Sequence, residues 1–403
     1  MTLALQDALS PADVAAANAL TRRWFAARDE IPSAASGLGI WPLLAMLSTG
    51  AVGETRDELL AALGVDADRA AALPRALFDG APADRSSSAL NVALGIWAGP
   101  GVVLDPDWAA GLPSGSIGSL TGDNAADKAA LDRWASDRTD GLIDAMPIDL
   151  DAPVPIELVL ASALLVRTEW RTAFEETTFT PFERGPWKDL AQPRILRATY
   201  HEDVLRISDD ATVLTVRGGD DVDVLLGLGR DDLAPHAVVD ALIDAVDPAW
   251  GRSAAGLAPG ERAIGVHAYE YMGSAPQTGP EIGVTTAAFD VSDDLDLIRD
   301  APALGLVRAS DRYGAQFDRL TARKLYVSQA RQSCTARFGA TGFEAAAVTA
   351  IGMALFGSAP PMTQYPHVRT DVVFDRPFAY LAVHRPTGLV LVAGWIAAPA
   401  LAA

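Results

Sequence analysis

Two long apolar runs, residues 90–97 and 156–166, limit the fold more than any other feature of this chain. Neither alternates cleanly between polar and apolar, so each reads as a strand covered on both faces, inside a sheet with layers on either side. A second pair, residues 378–384 and 389–396, is joined by Arg385-Pro386-Thr387-Gly388, a proline and glycine placed for a tight turn. A further run, 213–228, predicts a hairpin turning at Arg217-Gly218-Gly219-Asp220, and residues 325–338 read as another strand. Helical signals crowd the first third. Ser10-Pro11-Ala12-Asp13 predicts a capped start, with Leu20 and Trp24 on one face. Thr55-Arg56-Asp57-Glu58 has the spacing of a capping box, opening a helix that Gly64 ends. Residues 123–140 predict an amphipathic helix with Leu131 and Trp134 on its apolar side. Helices early and strands late argue for an α+β fold with a large, mostly antiparallel or mixed sheet. No repeat and no linker interrupts the chain, so a single domain over residues 1–403 is expected.

Charge removes several classes of function. The chain carries 52 Asp and Glu against 32 Lys and Arg, a formal charge of −20, which is unsuited to nucleic acid or an anionic membrane surface. Half the residues are hydrophobic, as a folded core requires. Of the two long uncharged windows, residues 31–53 are broken by Pro32 and Pro42, and residues 345–357 are too short to cross a bilayer. The first eighteen residues carry acids and no basic flank, so no secretory signal is read and a cytoplasmic protein is expected, with non-classical export as the other route.

Catalytic patterns are missing. There is no Gly-x-Ser-x-Gly, and neither Gly37-Leu38-Gly39 nor Gly227-Leu228-Gly229 continues into a phosphate-binding turn. The five histidines, His201, His236, His267, His367 and His384, are scattered, and His201-Glu202-Asp203 reads as a surface turn rather than a metal site. The lone Cys334 reads as a small buried hydrophobe. No enzyme, metal or cofactor is expected.

One segment stands apart. Gly342-Phe343-Glu344-Ala345-Ala346-Ala347-Val348-Thr349-Ala350 is followed by more small and apolar residues and then Pro360-Pro361. It reads either as a short buried helix or as a long exposed loop. With strand period two, one face would hold Phe343, Ala345, Ala347, Thr349 and Ile351, and the other Glu344, Ala346, Val348 and Ala350. Here the chain, from about residue 10 to 399, resembles the serpins, the serine protease inhibitor family. The small-residue hinge after Gly342 matches, as do Arg376-Pro377-Phe378, His384 to Gly388, Gly394 and Pro399 near the end. Upstream, residues 45–55, the helix positions Leu131, Trp134, Thr139, Gly141 and Ile143, and Leu158-Val159-Leu160 through Trp170 and Phe174 match in order.

The resemblance, to a prokaryotic-type intracellular member, implies a fold with a large mixed central sheet, further sheets and about eight or nine helices. An exposed reactive-centre loop would run over about 342–370. It implies a monomeric suicide substrate of serine proteases: the loop is cut, and its hinge, Gly342 to Thr349, enters the main sheet as a new strand. The family's spacing puts the reactive bond at Phe356–Gly357, fourteen positions beyond Gly342, while counting back from Pro377 points instead to Met362 or Tyr365. An apolar residue there implies chymotrypsin-like or subtilisin-like targets, because residues 345–367 contain no Arg or Lys. In the family's sheet-opening region Ser36 and Trp170 match, whereas Gly39, Ser162 and Gln332 replace a serine, an asparagine and a histidine. Phe343 replaces a small hydroxyl residue, an overpacking entrant at about 1–3 kcal/mol unless a pocket awaits it. Those departures favour the alternative, a non-inhibitory serpin-fold protein that binds a partner or ligand without trapping proteases.

Overall fold

The structure is a computed structural model and describes residues 5–78, 90–153, 155–178, 182, 185–343 and 364–402. Helices α1 (Leu5–Ala8), α2 (Pro11–Ala26), α3 (Trp41–Gly50), α4 (Gly53–Leu63) and α5 (Ala67–Phe78) come first. They lead into β1 (Leu90–Ala98), α6 (Pro106–Ala110), β2 (Ile117–Ser119), α7 (Asn124–Arg138) and β3 (Leu158–Val166). A run of strands follows: β4 (Thr168–Glu169), β5 (Glu175–Thr177), β6 (Ile195–Tyr200), β7 (Leu205–Ile207), β8 (Ala211–Arg217) and β9 (Val222–Gly229). After α8 (Pro235–Asp244) come β10 (Arg252–Ser253), β11 (Arg262–Ala263), β12 (Val266–Gly273), β13 (Ile282–Ala287), β14 (Phe289–Asp296) and α9 (Ala301–Leu304). The chain closes with β15 (Val327–Phe338), β16 (Gly342–Phe343), β17 (Tyr365–Val373), β18 (Phe378–His384) and β19 (Leu389–Ile396). Nine α-helices and three sheets among the described residues make the chain α+β. No helix among them is long and apolar enough to cross a membrane.

Local signals mostly act as read. Ser10 Oγ accepts from Asp13 N, while the Asp13 carboxylate accepts from Ser10 N at 2.8 Å, closing a reciprocal cap on α2. Gly64 ends α4 at φ 70°. The capping box expected at Thr55 is not one. Helix α4 has already begun at Gly53, and tertiary partners have taken both side chains. The buried Thr55 hydroxyl accepts from Gln316 N at 3.1 Å, and the Glu58 carboxylate accepts from the backbone of Val307 and Arg308.

Two compact units interleave along the chain, each built from three segments. The first holds Met1–Arg167, Val291–Thr335 and His384–Ala393. In it β1 runs antiparallel to β3 over nine rungs, and β3 runs parallel to β15 from Val327↔Leu158 to Cys334↔Leu164. The apolar run at 158–166 thus has a strand on each side. One of its faces is covered by α7 and the chain after it: Leu131, Ala135, Ile143, Met146 and Ile148 pack with Val159, Ala161 and Ala163.

The second unit holds Thr168–Asp290, Ala336–Val383 and Gly394–Ala403. One of its sheets has the order β11-β12-β17-β13-β6-β5, and another includes β10-β7-β8-β9-β18. The β8–β9 hairpin turns where the paired glycines predict. An aromatic cluster anchors the unit, with Phe289 stacked 5.3 Å from Phe338 and 4.7 Å from Tyr380. Within the span of about 342–370 expected to be a loop, the described residues at both ends are strands. Gly342 and Phe343 are strand β16, and Tyr365 already belongs to β17. Strand β17, which opens beside Pro366, pairs antiparallel with β12 over eight rungs and parallel with β13.

Candidate functional site

Strand β15 organises the site through its period of two. Gln332 and Gln329 are three positions apart, so they project to opposite faces. On the face away from α7, Gln332 sits across the β3–β15 seam from Ser162. Its Oε1 accepts from Ser36 N at 2.8 Å, and its Nε2 donates to Ser36 O at 2.9 Å and to Ser162 Oγ at 3.1 Å. Ser36 Oγ donates to Leu391 O at 2.6 Å and accepts from Gly39 N at 3.0 Å. Ser36, Ser162 and Gln332 are each 1% exposed, so every one of these bonds is shielded from water. A Cβ on Gly39 would lie 2.7 Å from Gln332 Nε2 and 3.2 Å from Ser162 Oγ. The longer amide therefore occupies the space a residue 39 side chain would need, and the paired departures from the family pattern are one repacked network.

In the second unit a two-residue strand is already in place. Phe343 of β16 pairs antiparallel with Phe338 of β15, while Gly342 and Phe343 pair with Glu169 and Thr168 of β4. Trp170 holds the turn that delivers it. Its ring Nε1 donates to Gly339 O and its backbone N to Thr341 O, both at 2.9 Å, and Phe174 N donates to Ala340 O. The Trp170 ring lies 4.9 Å from that of Phe338. Phe343 is 1% exposed, its ring 6.3 Å from Tyr380. The overpacking expected of this ring does not arise, because the uncut chain already supplies a pocket for it.

Of the residues singled out from sequence, Ser36, Gly39, Ser162 and Gln332 meet at one network, and Trp170 supports Gly342 and Phe343. Glu344, Ala345, Ala346, Ala347, Val348, Thr349, Phe356 and Gly357 lie outside the described residues. Sequence reasoning passed over Ser328 and Gln329 at the other end of the seam, although polar residues in a buried strand were the available signal. Cys334 is fully buried, and desolvation, with a smaller effect of Asp293, pushes its thiol up to about 12, which leaves it unreactive. Among the described residues there is no cluster of three or more His, Cys, Asp or Glu that could hold a metal ion.

With this geometry, the family model for "Serpin (serine protease inhibitor)" matches residues 19–186 and 265–399. The chain belongs to the serpin family. Among curated relatives of this serpin, Serpin-Z2A of Oryza sativa subsp. japonica is 25% identical over 402 residues, covering 90% of this chain and 91% of the relative. Glia-derived nexin of Rattus norvegicus is 21% identical over 382 residues, covering 90% and 86%. Among solved structures, the thermophilic serpin tengpin in its native state superposes with a TM-score of 0.72 at 17% identity, covering 96% of this chain and 93% of that one. A thyroxine-binding globulin complexed with thyroxine gives 0.68 at 18% identity, covering 96% and 98%. The serpin fold is thus shared along nearly the whole chain.

Proposed function

We propose that this serpin traps serine proteases as a monomeric suicide substrate in the cytoplasm, by inserting its cleaved loop into the β3–β15 seam. The register of β16 carries the reading. Phe343 faces Phe338, so continuing that antiparallel pairing along β15 brings residues 345, 347, 349 and 351 opposite Ala336, Cys334, Gln332 and Ala330. All four β15 positions are buried, and Gln332 is the one with a strongly polar side chain. On the loop side the corresponding residues are Ala345, Ala347, Thr349 and Ile351, and Thr349 is the one polar member. The hydroxyl therefore arrives where the Gln332–Ser162 bond must break, and apolar residues arrive everywhere else. A charged residue on that face would be prohibitive to bury. The reactive bond of this reading is Phe356–Gly357, fourteen positions beyond Gly342 by the family's spacing, and the apolar Phe356 side chain suits a chymotrypsin-like or subtilisin-like cleft.

The test is a denaturing gel of the protein mixed with chymotrypsin or subtilisin. A stable covalent band is expected with both enzymes, at the summed mass less the released fragment 357–403, and none with trypsin. Cleavage without that band would favour a non-inhibitory binding protein. The thyroxine-binding globulin neighbour is one protein of this fold whose structure holds a small ligand.

A further inference from the structure

The far end of the same seam carries a second polar device, on the opposite face of β15. Gln329 is 7% exposed and reaches the chain that returns from α7. Its Oε1 accepts from Asp149 N at 3.0 Å and its Nε2 donates to Asp149 O at 2.6 Å, so one amide satisfies both backbone groups of one residue. Beside it β15 bulges, with the register shifting between Val327 and Gln329. The extra residue, Ser328, turns its hydroxyl across the seam, accepting from Glu157 N at 3.1 Å and donating to Leu158 O at 3.0 Å.

The returning chain is itself firmly built. Met146 N donates to the Asp132 carboxylate at 2.9 Å, Asn124 Nδ2 donates to Leu150 O at 2.9 Å, and Ile143, Met146 and Ile148 pack on Val159, Ala161 and Ala163 of β3. It therefore rests on β3 by apolar contact and is pinned to β15 by Gln329. A strand entering between β3 and β15 moves them apart by one further strand spacing, about 4.8 Å. The returning chain cannot keep both attachments across that distance.

We propose that Gln329, assisted by Ser328, is a latch that sets the rate at which a new strand reaches the far end of the seam. This rests on the insertion reading above. Gln329 is a positioning residue, acting on the sheet and not on the protease.

The experiment compares wild type, Gln329→Ala and Ser328→Ala as full chains, with Thr335→Val as control; Thr335 bonds Ser292 of β14, away from the latch. Each is cut by excess chymotrypsin. Insertion is timed by stopped-flow tryptophan fluorescence, for which Trp134 on α7 is a reporter, and melting is recorded before and after cleavage. The latch requires Gln329→Ala to insert roughly threefold to tenfold faster, the range for one or two ordinary hydrogen bonds, and to melt lower before cleavage. After cleavage it should melt with wild type, since the bond is already broken there. Ser328→Ala should follow in smaller measure, and Thr335→Val should match wild type in rate. Equal rates, or an equal loss of melting temperature in cut and uncut Gln329→Ala, overturn the latch as a merely structural contact. Insertion without any covalent complex would sink protease trapping and leave the latch standing. Cleaved wild type that gains no heat resistance ends both.

Discussion

The Gln332 amide does the work of several side chains, and its neighbours have been cut back to fit it. It makes three buried hydrogen bonds, to Ser36 N, Ser36 O and Ser162 Oγ, each worth about 1 kcal/mol net. Gln332→Ala also strands their partners, so a loss of about 2–4 kcal/mol is expected, read as a lower urea midpoint at constant slope. Gly39→Ser should cost about 1–3 kcal/mol alone, since its Cβ would meet Gln332 Nε2 at 2.7 Å. In the Gln332→Ala background most of that cost should vanish, a coupling of about 1 kcal/mol or more in a double-mutant cycle. Additive effects would show that the two positions do not share one space. All four members of this network were legible in the sequence as positions, because strand period and family spacing say which residues face the seam. Their bonding was not, because it depends on how far a side chain reaches. Phe343 makes the same point: its identity suggested a misfit, and only its burial beside Tyr380 reveals that the ring is accommodated.

Helix α7 is held at its start by a carboxylate. Asp127 is 5% exposed and accepts from Thr121 N, Thr121 Oγ1 and Gly122 N at 2.9–3.0 Å. Burial works against its charge, but the Thr121 and Gly122 amides and the Thr121 hydroxyl outweigh that and hold the carboxyl below its ordinary range. A folded-state value below the unfolded one, about 3.9, means that this stabilisation is complete above the unfolded value. It is lost as the pH falls through the folded one. Asp127→Asn should therefore be less stable than wild type at pH 7, with the gap narrowing below about pH 4 in paired urea melts. A gap that stays constant down to pH 3 would mean that geometry alone, not charge, anchors the helix. Both this helix and strands β1, β3, β15, β18 and β19 could be read within a few residues of their ends, since long apolar runs and 3.6-residue periodicity survive any packing. Strand β17 escaped because it opens beside Pro366 after a run of loop formers, although the polar residues at 367, 369 and 371 alternate as a strand with one open face should. The false capping box at Thr55 arose because spacing alone cannot tell a cap from two side chains already claimed by residues about 250 positions away.

On the proposed mechanism, Gln332 on one face and Gln329 on the other hold the β3–β15 seam closed until the loop is cut. Among the described residues strand β16 comprises Gly342 and Phe343, and β3 pairs with β15 directly. On that mechanism, cutting the loop lets β16 continue, exchanging one line of strand pairing for two and burying a row of alanines. Against this stands the ordering of the inserted residues, about 1–2 kcal/mol for each backbone. A net gain of about 5 kcal/mol would raise the melting temperature of a chain this size by roughly 6 °C. The expected outcome is a rise of that order or more after verified cleavage at Phe356–Gly357, whose new amino terminus at Gly357 is identified by mass spectrometry. Ala345→Arg provides the internal control. Residue 345 would land opposite Ala336, which is 1% exposed, and a guanidinium has no partner there among apolar neighbours. That variant should fold, be cut at the same bond at the same rate, and melt after cleavage as it did before. If cut wild type and cut Ala345→Arg melt together, the loop does not enter the sheet in this protein. If first cleavage falls after Met362 or Tyr365, the reactive bond is displaced even though the seam still accepts a strand.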